Sequence, residues 1–118
     1  MSLPVRKRPS GDAAIRAAVP IFAALGDATR IRIVSHLSAG GPTSIARLTA
    51  GAGVTRQAVA KHLRVLSVAG QVRGQYVGRE SVWELQGQQL HQARQALDAI
   101  AGQWDRALGK LKAFVESR

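Results

Sequence analysis

The sequence predicts a mainly α-helical domain with a small β-hairpin wing and a long C-terminal helix. Apolar residues recur at helical spacing through most of the 118-residue chain. Two short β-prone runs, 71–77 and 80–85, flank Gly78-Arg79. From Leu90 onward, apolar residues repeat in alternating steps of three and four. A chain of this length fits a single core.

Residues 1–11, MSLPVRKRPSG, hold two of the four prolines and the basic run Arg6-Lys7-Arg8, with no apolar period. They read as a flexible basic arm, leaving 12–118 as the folded unit. From Asp12 the pattern is helical, with Ile15, Ala18, Val19, Phe22 and Leu25 on one side. Pro20 interrupts it, so either a new helix starts there or a longer one kinks. Asp27 is a good N-cap for a second helix carrying Ile31, Val34 and Leu37 inward and stopping at Gly40-Gly41-Pro42. Thr43 or Ser44 caps a short third helix through about Ala50, with Ile45 and Leu48 buried.

Gly51-Ala52-Gly53 makes a turn, and Thr55 caps a fourth helix. In it Val59, Leu63 and Leu66 recur at i, i+4 and i+7, one buried stripe, before Gly70 stops the helix. The hairpin follows, with Gly78-Arg79 at its tip, and Gly87 ends it. In the last helix Leu90, Leu97, Trp104 and Leu111 are seven apart, and Ala93, Ile100, Ala107 and Phe114 repeat three residues behind them. So long a seam has no obvious partner inside so small a domain, and a second subunit is expected to cover it, with Phe22 contributing. Trp104 is most simply a buried dimer residue.

Charge narrows the partner. The formal net charge is +10 and the isoelectric point about 11.7, a balance that favours polyanions such as nucleic acid. Between Asp27 and Glu80 lie Arg30, Arg32, Arg47, Arg56, Lys61, Arg64, Arg73 and Arg79, and no carboxylate. Cysteine is absent, which removes disulfides and thiolate metal sites and fits a cytoplasmic location. No apolar run approaches the roughly 18 to 20 residues that cross a membrane, so no membrane partner is expected. Three scattered histidines, no cysteine and seven carboxylates without a close apolar pair leave no nucleophile and base set, so enzymatic activity is not expected. No cofactor is expected, and no inducer can be named.

A short capped helix, a glycine turn and a second helix with a polar start form a helix-turn-helix, and the hairpin after it makes the unit winged. A helix fits the major groove of DNA, and the residues near its N-terminus face the base edges. Thr55, Arg56, Gln57 and Lys61 occupy that location. Arg56 can fork onto guanine and Gln57 onto adenine. Lys61 and Arg64 are expected at phosphates, and Arg79 in a minor groove. Arg73 and Tyr76 are expected to anchor the base of the wing. His62 reads as a packing residue, and Arg30 more as an ion-pair partner than a backbone contact. His36 and His91 are lone histidines. Arg6-Lys7-Arg8 reads equally as solvated tail or as a phosphate contact.

Phe22-Ala-Ala-Leu-Gly-Asp-Ala-Thr-Arg30, the pair Ile45 and Leu48, Gly53-Val-Thr-Arg-Gln-Ala-Val59 with His62-Leu63 and Leu66, the Gly70 stop and the Gly78-Arg79 wing resemble the ArsR-type winged-helix transcriptional repressors over roughly residues 19–115. The ending Trp104-Asp-Arg-Ala-Leu108 is similar to a metal-independent branch of that family. The resemblance implies a homodimer that binds double-stranded DNA at a palindromic, inverted-repeat operator. Metal sensors of the family carry a cysteine pair in the short helix, or Asp and His ligands on the terminal helix. Here the first place reads Ser44-Ile-Ala-Arg-Leu48 and the second offers only His91, so no metal response is expected. A sequence-independent architectural DNA-binding protein is the alternative, since basic winged helices also coat DNA through phosphates.

Overall fold

Asp27 marks the first turn of the architecture: its carboxylate accepts from the Arg30 amide at 3.0 Å and starts a helix where the chain has just left another. The computed structural model describes residues 11–117, so the basic run Arg6-Lys7-Arg8 and the rest of the arm before Gly11 lie outside the described residues. The elements are α1 (Gly11–Leu25), α2 (Ala28–Gly40), β1 (Thr43–Ser44), α3 (Ile45–Thr49), α4 (Arg56–Val68), β2 (Val72–Val77), β3 (Glu80–Leu85) and α5 (Gly87–Glu116). No helix among them is long and apolar enough to cross a membrane.

The first helix begins at Gly11 and runs unbroken through Pro20, so no new helix starts there. Pro20 lacks the amide that would bond the Arg16 carbonyl, a loss the helix absorbs within its length. In α2 the buried pair is Ile33 and Leu37, spaced by four, with Val34 packed beside them. Ile31, expected inside, is 51% exposed. It lies about 200° around the helix from Ile33, and with apolar residues at 31, 33, 34 and 37 the sequence leaves the phase ambiguous.

Ser44 caps α3, its hydroxyl accepting from the Arg47 amide at 3.2 Å, and Ile45 and Leu48 are buried as the spacing implies. Thr43 and Ser44 also form a third strand. They pair antiparallel with β3, Thr43 opposite Trp83 and Ser44 opposite Val82, giving the sheet order β1-β3-β2. A two-residue strand has no period to read, so the sequence shows only its capping role.

The main core joins Ala24, Ile33, Leu37, Ile45, Leu48, Val59, Leu63, Leu66 and Val72. Burying one such aliphatic side chain stabilises by roughly 1.5 to 3 kcal/mol, and the α4 stripe supplies Val59, Leu63 and Leu66. A second cluster joins Ala18 and Ile21 of α1 to Ala93 and Ala96 of α5. The two helices run antiparallel: Gln103 reaches Asp12, and Gly11 lies beside Ala99.

The seam of the last helix therefore does find a partner inside the chain over its first part. Ala93 packs on α1, and Phe22, assigned to the dimer from sequence, is half-buried against this internal cluster. The small side chains allow the close approach. Beyond Gln103, Trp104, Leu108, Leu111, Phe114 and Val115 are all exposed.

Gln71, between α4 and β2, is fully buried, and its side-chain amide donates to the Ile21 carbonyl at 2.9 Å. The Gln86 amide donates in turn to the Gln71 carbonyl at 2.8 Å. One residue thus ties the root of the wing to α1 and to the start of α5. It was invisible in the sequence, because a glutamine at a turn reads as surface.

Candidate nucleic-acid interface

The glycine turn before α4 sets the interface. Gly51 and Gly53 have φ of +69° and +71°, a conformation that side-chain-bearing residues rarely adopt, and the chain reverses there between α3 and α4. Thr55 then caps α4, its hydroxyl accepting from the Ala58 amide at 3.1 Å. Arg56 and Gln57 are the first two helical residues, in the turn whose free amides and dipole favour negative charge. No acidic residue stands in that turn.

Thr55, Arg56, Gln57, Lys61 and Arg64 are all exposed. The opposite face of the helix is Val59, Leu63 and Leu66, each with no accessible surface. Burial of the stripe thus fixes which side chains point outward. Arg56, Gln57 and Lys61 come together at the helix start, while Arg64 stands two turns along.

His62 sits between the two faces, half-buried. Its Nδ1 lies 3.4 Å from Arg30 Nη1 and 3.9 Å from Asp27 Oδ1. Arg30 also donates through Nε to the Ala24 carbonyl. These contacts tie α4 to the start of α2, in keeping with a packing role for His62. The Arg30 amide, followed by the charges of Arg30 and His62, holds the Asp27 carboxyl below its usual value.

The wing is a hairpin in continuous register from Val72 opposite Leu85 to Val77 opposite Glu80. Its two-residue loop has Gly78 at φ +63° followed by Arg79, the II′ pattern that matches the twist of the strands. Arg79 stands exposed at the tip. Trp83 packs partly against the core and lies across Gly74, where a Cβ would come within 2.9 Å of the indole ring. A glycine at 74 is what lets the ring lie on the sheet.

At the base of the wing Arg73 faces Glu84 across the ladder, with Nη2 2.7 Å from Oε1. Half of the expected anchor is therefore an ion pair within the hairpin. Tyr76 is not at the base: it pairs with Ser81 near the tip and is 82% exposed. The run Gly74-Gln-Tyr-Val77 has no clear alternation by which to place it.

The expected dimer residues divide into two groups. Phe22, Leu90 and Ile100 are half-buried, whereas Leu97, Trp104, Leu111 and Phe114 are exposed. Leu97, Ile100, Ala101, Trp104 and Leu108, together with Asp98 and Asp105, line a mostly apolar hollow of about 540 Å3 on α5. Leu108 and Val115 belong to the same stripe as Trp104 and Leu111 but escape a strict heptad reading, since a straight helix drifts from a seven-residue repeat. Among the described residues no group of three or more His, Cys, Asp or Glu could hold a metal ion.

Residues 25–74, from the end of α1 into β2, match the helix-turn-helix domain family. The chain is 36% identical over 94 residues to the HTH-type transcriptional regulator Rv2034 of Mycobacterium tuberculosis, covering 80% of this chain and 84% of that protein. The solved structure of an ArsR-like transcriptional regulator from Rhodococcus sp. RHA1 is 35% identical, covers 84% of this chain and 92% of its own, and has a TM-score of 0.70. The homodimeric winged helix-turn-helix DNA-binding domain of Mb0332 from Mycobacterium bovis shares the fold. It is 18% identical, covers 84% of this chain and 91% of its own, and has a TM-score of 0.60.

Proposed function

The chain belongs to the ArsR-like helix-turn-helix transcriptional regulators, and we propose that it acts as a homodimeric, sequence-specific repressor at an inverted-repeat operator, without metal sensing. It is a DNA-binding regulator and not an enzyme. The observation that carries the finer reading is the start of α4, where capped Thr55, Arg56 and Gln57 stand exposed above a fully buried stripe.

In this reading α4 enters the major groove, about 12 Å wide, with Arg56 and Gln57 at base edges. Lys61 and Arg64 meet phosphates, and Arg79 reaches the adjacent minor groove. Arg73 steadies the wing through Glu84 and adds positive charge beside the backbone. Two such units related by a two-fold axis meet successive major grooves about 34 Å apart, so the operator is palindromic. Covering promoter DNA in the cytoplasm represses transcription. The dimer is held by the apolar face of α5 around Leu97, Ile100, Trp104, Leu111 and Phe114, with Leu90 and Phe22 at its edge. The cysteine-free sequence supports metal independence, since neither thiolate pair nor dense Asp and His set is available.

Fluorescence anisotropy with labelled duplexes tests this. A cognate site should survive excess random competitor DNA that strips the protein from unrelated probes. Equal loss from every probe would instead identify a sequence-independent architectural protein. Adding zinc or a chelator should leave cognate affinity unchanged.

A further inference from the structure

The hairpin has two unlike faces. Residues paired across an antiparallel ladder share a side, so Val72, Gly74 and Tyr76 stand with Leu85, Trp83 and Ser81, while Arg73, Gln75 and Val77 stand with Glu84, Val82 and Glu80. The second face sets one cation, Arg73, against two carboxylates, and that cation is already tied to Glu84. Such a face repels phosphate. The first face carries no charged side chain. At its root Val72, Trp83 and Leu85 pack on the core, and towards the tip the face opens, with Tyr76 82% exposed.

Where it opens, this face meets α4. A hollow of about 330 Å3 is lined by Ser67 of the recognition helix and by Gly74, Tyr76, Ser81 and Trp83 of the first face, with Arg73 and Gln75 bordering it along the edge strand β2. No acidic residue lines it. Among the described residues, no protein group bonds the side-chain hydroxyls of Ser67, Tyr76 or Ser81. Three hydroxyls thus share one hollow with their hydrogen-bonding capacity unspent. Arg64, exposed as well, stands one helical turn before Ser67.

The position of the hollow identifies its ligand. In a duplex, one strand of the sugar-phosphate backbone separates a major groove from the adjacent minor groove. With α4 in the first and Arg79 in the second, that strand has to cross between helix and wing, over Ser67 and Tyr76. Serine and tyrosine hydroxyls are regular donors to phosphate oxygens. We propose that the hollow seats one backbone phosphate of the DNA, with the hydroxyls of Ser67, Tyr76 and Ser81 donating to its oxygens and Arg64 supplying positive charge at its rim. This rests on DNA binding through α4 and the wing, and adds the face by which the wing lies on the duplex. The seat itself is neutral, so it fixes the register of Arg56 and Gln57 on the bases without releasing counterions.

Tyr76→Phe removes a single oxygen from an exposed side chain and leaves the hairpin intact. Anisotropy is measured on the duplex enriched from a random pool and on a random duplex of about 30 base pairs, between 50 and 200 mM salt. Binding to both should weaken by about tenfold, as for hydrogen bonds to a charged group, with the salt slope unchanged because no cation is lost. Ser67→Ala should act alike, whereas Val77→Ala, on the other face, should leave affinity within about twofold. On the enriched duplex a neutral methylphosphonate is placed at each phosphate in turn. At one position in each half-site it should cost wild type binding and cost the Tyr76→Phe chain much less. A Tyr76→Phe chain that binds as wild type does, or that loses as much as wild type at every methylphosphonate, would overturn the seat. A pool in which no sequence is enriched would remove the base reading instead, and the comparison on random duplex would still decide the seat.

Discussion

Replacing Arg56 by alanine separates base reading from charge. The side chain is exposed, at the first position of α4, while Thr55 supplies the cap and Val59, Leu63 and Leu66 the packing. Its removal should leave the fold intact, with a thermal midpoint near that of wild type. A bidentate contact to guanine discriminates by about 1 to 3 kcal/mol, and a dimer makes two, so the cognate site should lose about 2 to 6 kcal/mol. The lower figure is already roughly a 30-fold weaker Kd. Random duplex should lose much less, because there Arg56 contributes charge alone. Anisotropy on both probes between 50 and 200 mM salt measures the two losses and the salt slopes together. Lys61→Ala is the contrast, weakening both probes alike and lowering the slope by about 1 per protomer. Equal losses on cognate and random DNA for Arg56→Ala would refute the base-reading role.

Trp104→Asp, in the exposed hollow of α5, should convert the dimer to monomer in light scattering and abolish operator binding with the helical circular dichroism retained. Leu63→Ala removes a fully buried side chain of the α4 stripe. It should cost about 2 to 5 kcal/mol and lower the midpoint by about 10 °C or more in thermal unfolding. Asp27 has its folded-state pKa lowered from 3.8, chiefly by the Arg30 amide. Its contribution is therefore present above that value and lost as pH falls through the lower folded pKa. Asp27→Asn keeps a capping oxygen but not the charge, so its acid unfolding limb should be flatter than that of wild type in denaturant titrations from pH 5 to 2.

Much of the fold was legible because local chemistry and periodicity agreed. Asp27, Ser44 and Thr55 each cap the helix they were expected to start, and the Val59, Leu63, Leu66 stripe is buried to the last residue. Gly78-Arg79 forms the wing tip on the strength of a glycine at positive φ. The helix with mixed signals was less legible: α2 has apolar residues at neighbouring positions, so Ile33 could not be told from Ile31. Long-range relations were the least legible. Nothing local indicates that Thr43 and Ser44 join the sheet, that Gln71 reaches the Ile21 carbonyl, or that Ala93 and Ala96 pack on α1. In the candidate site the outward face of α4 follows directly from its buried stripe. The pairing of Arg73 with Glu84 depends on hairpin register, which sequence alone does not set.

Selection of bound duplexes from a random DNA pool tests the central claim most directly. A dimer reading DNA through α4 should enrich an inverted repeat whose half-sites are centred about one helical turn, 10 to 10.5 base pairs, apart. Conserved bases should fall in the two major grooves on one face. A pool that stays random after selection, or that converges on a single half-site or a direct repeat, would contradict it.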